Sequence, residues 1–126
     1  MVKVLRNMFM HIAPERLIGD IQREFNTVFP FLKLEFYRPG ESAFLPAKRF
    51  LPPKYAIQNV DPTDHEGYAV VNESMTVAEL EHQFLNLFGV GVQVYRKSGN
   101  LWLETTMTDN WTLQKQNEHG REISIK

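Results

Sequence analysis

Apolar and polar side chains follow two rhythms along the chain, and each rhythm predicts an element. Residues 2–12 run with a period of two, Met8, Met10 and Ile12 on one side and Phe9 and His11 on the other, as a strand requires. Leu17, Ile18, Ile21, Phe25 and Val28 then recur at helical spacing and form one apolar face. Pro14 suits the first turn of that helix, where a missing N–H costs nothing, and Pro30 stops it. Phe31–Arg38 alternates again, with Leu32, Leu34 and Phe36 on the inner side and Lys33, Glu35 and Tyr37 outward.

The second half repeats the sequence of rhythms. Residues 67–72 read as a short strand. Thr76 and Glu79 have the spacing of a capping box, and Val77, Leu80, Phe84, Leu87 and Phe88 make the buried face of a helix. Gly89 follows as its left-handed cap. Val90, Val92 and Val94 alternate in a strand, Lys97–Asn100 is a hairpin turn, and residues 101–106 return. Asp109 is the expected cap of a short helix reaching about Glu118. Gly120 is expected after that helix and an edge strand over 121–126, with Trp111 packed as a lid on the sheet.

Between the halves the pattern breaks. Residues 39–66 hold five of the seven prolines, which predicts an ordered loop with at most one short strand, at Tyr55–Val60. Phe50 and Leu51 are expected to plug the core. The pair Phe25/Phe29 followed by a strand to Tyr37-Arg38 parallels Phe84/Phe88 followed by a strand to Tyr95-Arg96. The expectation is therefore a single α+β domain over 1–126, with two βαβ-like halves (1–40 and 67–120) joined by the Pro-rich segment 41–66. The halves share one mixed or antiparallel sheet with helices on one face.

The 126 residues are 43% hydrophobic with a formal net charge of −1, enough apolar material for one core and too little charge for a disordered chain. With no cysteine there is no disulfide framework, thiolate metal site or cysteine nucleophile. No apolar run is long enough to span a bilayer, and Arg6, Asn7 and His11 interrupt the only stretch resembling a signal segment, so a cytoplasmic protein is expected. Residues 1–60 carry nine basic and five acidic side chains, whereas 61–126 carry five and ten. Opposed halves of this kind can dock within the chain or between copies.

Met75-Thr-Val-Ala-Glu-Leu-Glu81, Phe88-Gly-Val90 and the run from Val92 through Tyr95-Arg-Lys-Ser-Gly-Asn-Leu-Trp-Leu-Glu-Thr-Thr106 carry a resemblance. Thr108-Asp109, Trp111-Thr-Leu113 and Gln116-Asn117 extend it. The chain resembles a family of small uncharacterised conserved proteins of Bacteroidetes bacteria, most closely over residues 68–120. The resemblance implies a stand-alone cytosolic bacterial protein and supplies no catalytic residue.

Enzyme signatures are missing: there is no nucleophile elbow, Walker loop or His-Glu-x-x-His. Gly89 and Gly91 lie between a helix and a strand, the reverse of a phosphate-cradling order. Asp61, Asp64, His65 and Glu66 are hard ligands, but their spacing matches no standard metal loop and Pro62 makes an ordinary turn of them. No cofactor and no metal are expected. The suggestive group is aromatic and basic: Tyr37-Arg38, Tyr95-Arg96-Lys97 and Trp102, at matching strand ends. Tyr, Trp and Arg are enriched in interfaces, so a non-enzymatic protein–protein interaction or assembly module, a homo-oligomer or one with a protein partner, leads. The alternative is single-stranded nucleic-acid binding, with rings stacking on bases and cations holding phosphates.

Overall fold

The structure, a computed structural model, describes residues 6–40, 49–62 and 65–125. Among them the chain forms β1 (Asn7–Ile12), α1 (Ile18–Val28), β2 (Leu32–Tyr37), β3 (Gly67–Asn72), α2 (Val77–Phe88), β4 (Gly91–Ser98), β5 (Leu101–Glu104) and α3 (Leu113–Ser124). Residues 57–59 and 106–108 are short 3-10 turns. The architecture is α+β.

The strands form two antiparallel sheets rather than the one expected: β1 pairs with β3, and β2, β4 and β5 make the other in that order. Each strand at the start of a half thus pairs with its counterpart, and so does each strand at the end. Phe9 faces Val70 in the first sheet, while Leu34 faces Val94 and Phe36 faces Val92 in the second. One core joins both sheets to the helices: Met10, Ile12, Ala69 and Val71 from the first, Leu32, Leu34, Phe36, Val92 and Val94 from the second, and Ile18, Ile21, Phe25, Val77, Leu80 and Phe84 from α1 and α2. The Phe36 and Phe84 rings pack edge to face with their centroids 5.9 Å apart. Phe84 of α2 and Gly120 of α3 reach the same face of β2–β4–β5, because Phe36 and Arg96 lie on one side of the pleat.

Both long-range helix starts are finished by backbone from elsewhere. α1 begins at Ile18, four residues later than Pro14 suggests, with Leu17 as its extended cap and no capping side chain. Its first N–H groups donate to the carbonyls of Tyr55 (Ile18, 2.8 Å) and Pro53 (Gly19, 2.9 Å). In α2 the corresponding Val77 and Ala78 N–H groups donate to Trp111 (3.1 Å) and Asp109 (2.9 Å). The correspondence continues: Ile57 donates to Arg16 and Leu113 to Met75, and isolated bridges join Leu17 to Ala56 and Thr76 to Thr112. α2 also carries the expected capping box and ends at Gly89 with φ 68°.

Several expectations fail locally. As cap, Leu17 is largely exposed, and so is Leu87 on the outside of α2. Residues 57–59 form a 3-10 turn, not a strand. Leu51 enters the core, but Phe50 packs between Tyr37 and Tyr95 on the opposite face of the sheet. Thr112, not Asp109, caps α3, and that helix runs through Gly120 to Ser124 where an edge strand was expected.

Candidate functional site

Alternation along β2 and β4 decides which of the singled-out residues meet. Tyr37, Tyr95, Lys97 and Trp102 share the outer face of β2–β4–β5, and Lys33, opposite Tyr95, joins them. The Lys33 ammonium lies 5.4 Å from the Tyr95 ring centroid and 5.2 Å from that of Trp102, and Lys97 lies 5.9 Å from Trp102. Lys33 also pairs with Glu35 at 3.5 Å. Burial, then the Glu104 and Glu35 carboxylates, push the Tyr95 phenol upward. The Phe50 ring stands edge-on to both Tyr37 (6.4 Å) and Tyr95 (5.7 Å), so this face is partly roofed by the Pro-rich segment. Between it and α1 lies a cleft of about 310 Å³ bordered by Gln22, Asn26, Lys33, Pro53 and Trp102.

The two arginines leave the group. Arg38 donates from Nε to the Asn59 carbonyl at 3.0 Å. Arg96 is on the inner face opposite Leu32, where its guanidinium donates to Gln116 at 2.8 Å and lies 5.7 Å from the Trp111 ring. Neighbours in a strand point to opposite faces, so the spacing of Tyr-Arg already separates the two side chains. The same parity that turns Lys33 outward with Tyr37 places it among the aromatics.

A second surface lies on the outer face of β1–β3. Phe9 and Tyr68 are 69% and 62% exposed, Val70 is exposed beside them, and the His11 and Tyr68 rings are 5.2 Å apart. The Glu73 N–H donates to the Arg6 carbonyl at the end of this ladder, so by alternation Asn7, Phe9 and His11 aim their N–H and C=O groups away from β3. Parts of the β2, β3 and β4 edges are closed, while the outer edge of β5 is, like that of β1, a free edge of its sheet. Gln22 and Asn26 donate to the Leu34 and Leu32 carbonyls of β2, and the Leu51 N–H donates to Phe36. The Gln83 amide makes two bonds to Val70 of β3, at 2.7 and 2.8 Å. Where β5 stops, Glu81 accepts the Val94 N–H and Thr105 donates to its carbonyl. On β1, among the described residues, only the His11 carbonyl has such a partner, the Arg16 guanidinium at 3.0 Å. The six residues of β1 carry no Lys, Arg, Asp, Glu or Pro.

Around the Asp61–Glu66 segment, Asp61 pairs with His65 at 2.8 Å and Glu66 with His11 at 3.0 Å; Thr63 and Asp64 lie outside the described residues. Among the described residues no three His, Asp or Glu side chains gather as metal ligands. A cleft of about 420 Å³ beside Gly91 is bordered by Glu79, Glu81, His82 and Asp109. Two of its three carboxylates are engaged in folding, Glu79 in the capping box and Glu81 on the Val94 N–H. No described helix is long and apolar enough to cross a membrane. Comparison with family models, with curated proteins and with solved structures returns no match to this chain.

Proposed function

We propose that the protein is a non-enzymatic interaction module that self-associates, two copies meeting along β1. The observation that carries this reading is an edge strand without Lys, Arg, Asp or Glu, with outward main-chain groups beside an exposed Phe9–Tyr68–Val70 face, whereas side chains bond the edges of β2 and β3. Natural proteins blunt such edges with charge, proline or covering elements. Pairing two β1 strands antiparallel extends each two-stranded ladder to four and joins the apolar faces. A second copy suits the edge because an uncharged strand meets its own copy without like-charge repulsion.

The test is sedimentation of the wild type and Phe9→Lys from low to high micromolar concentration. A dimer is expected for the wild type and a monomer for the variant. At dilutions where both proteins are monomeric its thermal stability should match that of the wild type, since the Phe9 side chain is mostly in water already. A wild type that stays monomeric at high micromolar concentration, or a Phe9→Lys protein that still dimerises, rejects the reading.

The position of Lys33 over Tyr95 and Trp102 favours a second reading, single-stranded nucleic-acid binding by the outer face of β2–β4–β5. It expects salt-sensitive binding weakened by Trp102→Ala and Lys33→Ala but not by Arg38→Ala. No gel shift at low salt removes it. Phe50 between Tyr37 and Tyr95 leaves less ring surface for bases and makes this the weaker reading.

A further inference from the structure

Arg96 is held in an unusual way for a half-buried cation. Its guanidinium donates to the side-chain oxygen of Gln116, a fully buried neutral amide, and Gln116 is itself fixed by bonds from its nitrogen to the Thr108 carbonyl (2.8 Å) and hydroxyl (2.9 Å). The Arg96 Nε is buried without a hydrogen-bond partner. Among the described residues no carboxylate lies within ion-pair distance of Arg96 or of Lys115. Burial alone shifts the Arg96 pKa, and shifts it downward; no acidic neighbour counters it.

Two cations and a histidine converge on one indole at this place. The Lys115 ammonium is 4.2 Å from the Trp111 ring centroid, the Arg96 guanidinium 5.7 Å, and the His119 ring stands edge-on at 5.6 Å. Trp111 and Lys115 flank the start of α3, whose first turn, unlike that of α2, holds no acidic residue. The positive end of that helix dipole is therefore not offset by a side chain of its own. A guanidinium held by a neutral amide is oriented without its charge being offset by that bond.

We propose that Arg96 and Lys115, gathered around Trp111, form a binding site for a small ligand bearing a multivalent oxyanion, phosphoryl or polycarboxylate. Gln116 acts as a positioning residue, orienting Arg96 without neutralising it. The site is independent of β1 and of self-association.

The experiment is a titration of isotope-labelled protein with pyrophosphate and, separately, with citrate, following the Trp111 indole N–H and the Lys115 amide. A saturable shift with pyrophosphate alone assigns the phosphoryl class, with citrate alone the polycarboxylate class, and with both an oxyanion site indifferent to the source. Lys115→Gln should weaken the response about five- to tenfold, as expected for one charge-assisted contact. Arg96→Lys should weaken it by at least as much, because the planar fork is lost. Lys115 is exposed and on the helix surface, so its variant keeps the fold even where Arg96 variants do not. No saturable shift with either anion, or a shift that Lys115→Gln leaves unaltered, overturns the proposal.

Discussion

At Gly91 the absence of a side chain is a packing requirement. A Cβ placed there would lie 2.4 Å from Cε2 of Tyr37, the residue opposite on β2, so the phenol ring lies directly on the glycine backbone. Gly91→Ala must push that ring aside, and with it the Phe50 contact. The expected cost is about 1–3 kcal/mol of stability, read from urea unfolding. In a Tyr37→Ser background the same change should cost distinctly less, a coupling that a double-mutant cycle measures. A single residue of parity also separates Tyr37 and Tyr95 from Arg38 and Arg96. The aromatic–basic group legible in the sequence is therefore two groups in space, one around Lys33 and one around Trp111.

The helices differ in how their ends are completed, and that difference tells which ends local sequence can specify. α2 holds its signals within itself: Thr76 accepts from the Glu79 N–H, the Glu79 carboxylate accepts from the Thr76 N–H, and Gly89 closes the other end. Thr76→Ala should cost about 1 kcal/mol in thermal or urea unfolding. The bonds from the Thr76 backbone and hydroxyl hold the Glu79 pKa below the usual carboxylate range. A depressed folded pKa means that the carboxylate stabilises the fold above the ordinary glutamate value, and that this contribution disappears as pH falls through the folded value. Glu79→Gln should therefore flatten the acid side of the stability profile, and an unchanged profile would contradict the capping role. α1 has no such box, and carbonyls of residues 53 and 55 complete its start, so Pro14 was a misleading marker. α3 was misjudged for a related reason. The Asp109 carbonyl serves the Ala78 N–H of α2, which moves the cap to Thr112. Gly120 stays inside the helix because its bare Cα lets α3 approach Arg96 Cγ and the Lys97 carbonyl, where a Cβ would lie 3.0 and 3.2 Å away.

At the scale of the whole molecule, one chain already encloses a complete core from both sheets. The self-association proposed along β1 would then join copies that are already folded, linked to stability by the mass-action term alone. The midpoint of thermal unfolding should rise with wild-type concentration, and that dependence should vanish in Phe9→Lys. A concentration dependence that persists in Phe9→Lys would separate the contact from β1. The proline-rich segment is part of this architecture: Pro53 and Tyr55 cap α1, Leu51 enters the core, and Phe50 roofs the outer face of the larger sheet. It does for the first half what Asp109, Trp111 and Leu113 do for the second.

Periodicity alone determined the strands at Leu32–Tyr37 and Gly67–Asn72, the buried valines of β4 and both ends of α2, because each depends on neighbours within a few residues. Strand pairing was decided only in three dimensions. A period of two says which side of a strand is apolar, and it is silent about which strand lies beside it, so one sheet and two sheets read alike in the sequence. The surfaces follow the same division. That Phe9, Tyr95 and Trp102 point away from the apolar stripe is visible in the pattern. That Phe50 roofs one of these faces, that the Arg16 guanidinium reaches the His11 carbonyl on the β1 edge, and that Gln116 holds Arg96 near Trp111 all depend on contacts outside the strands' own periodicity.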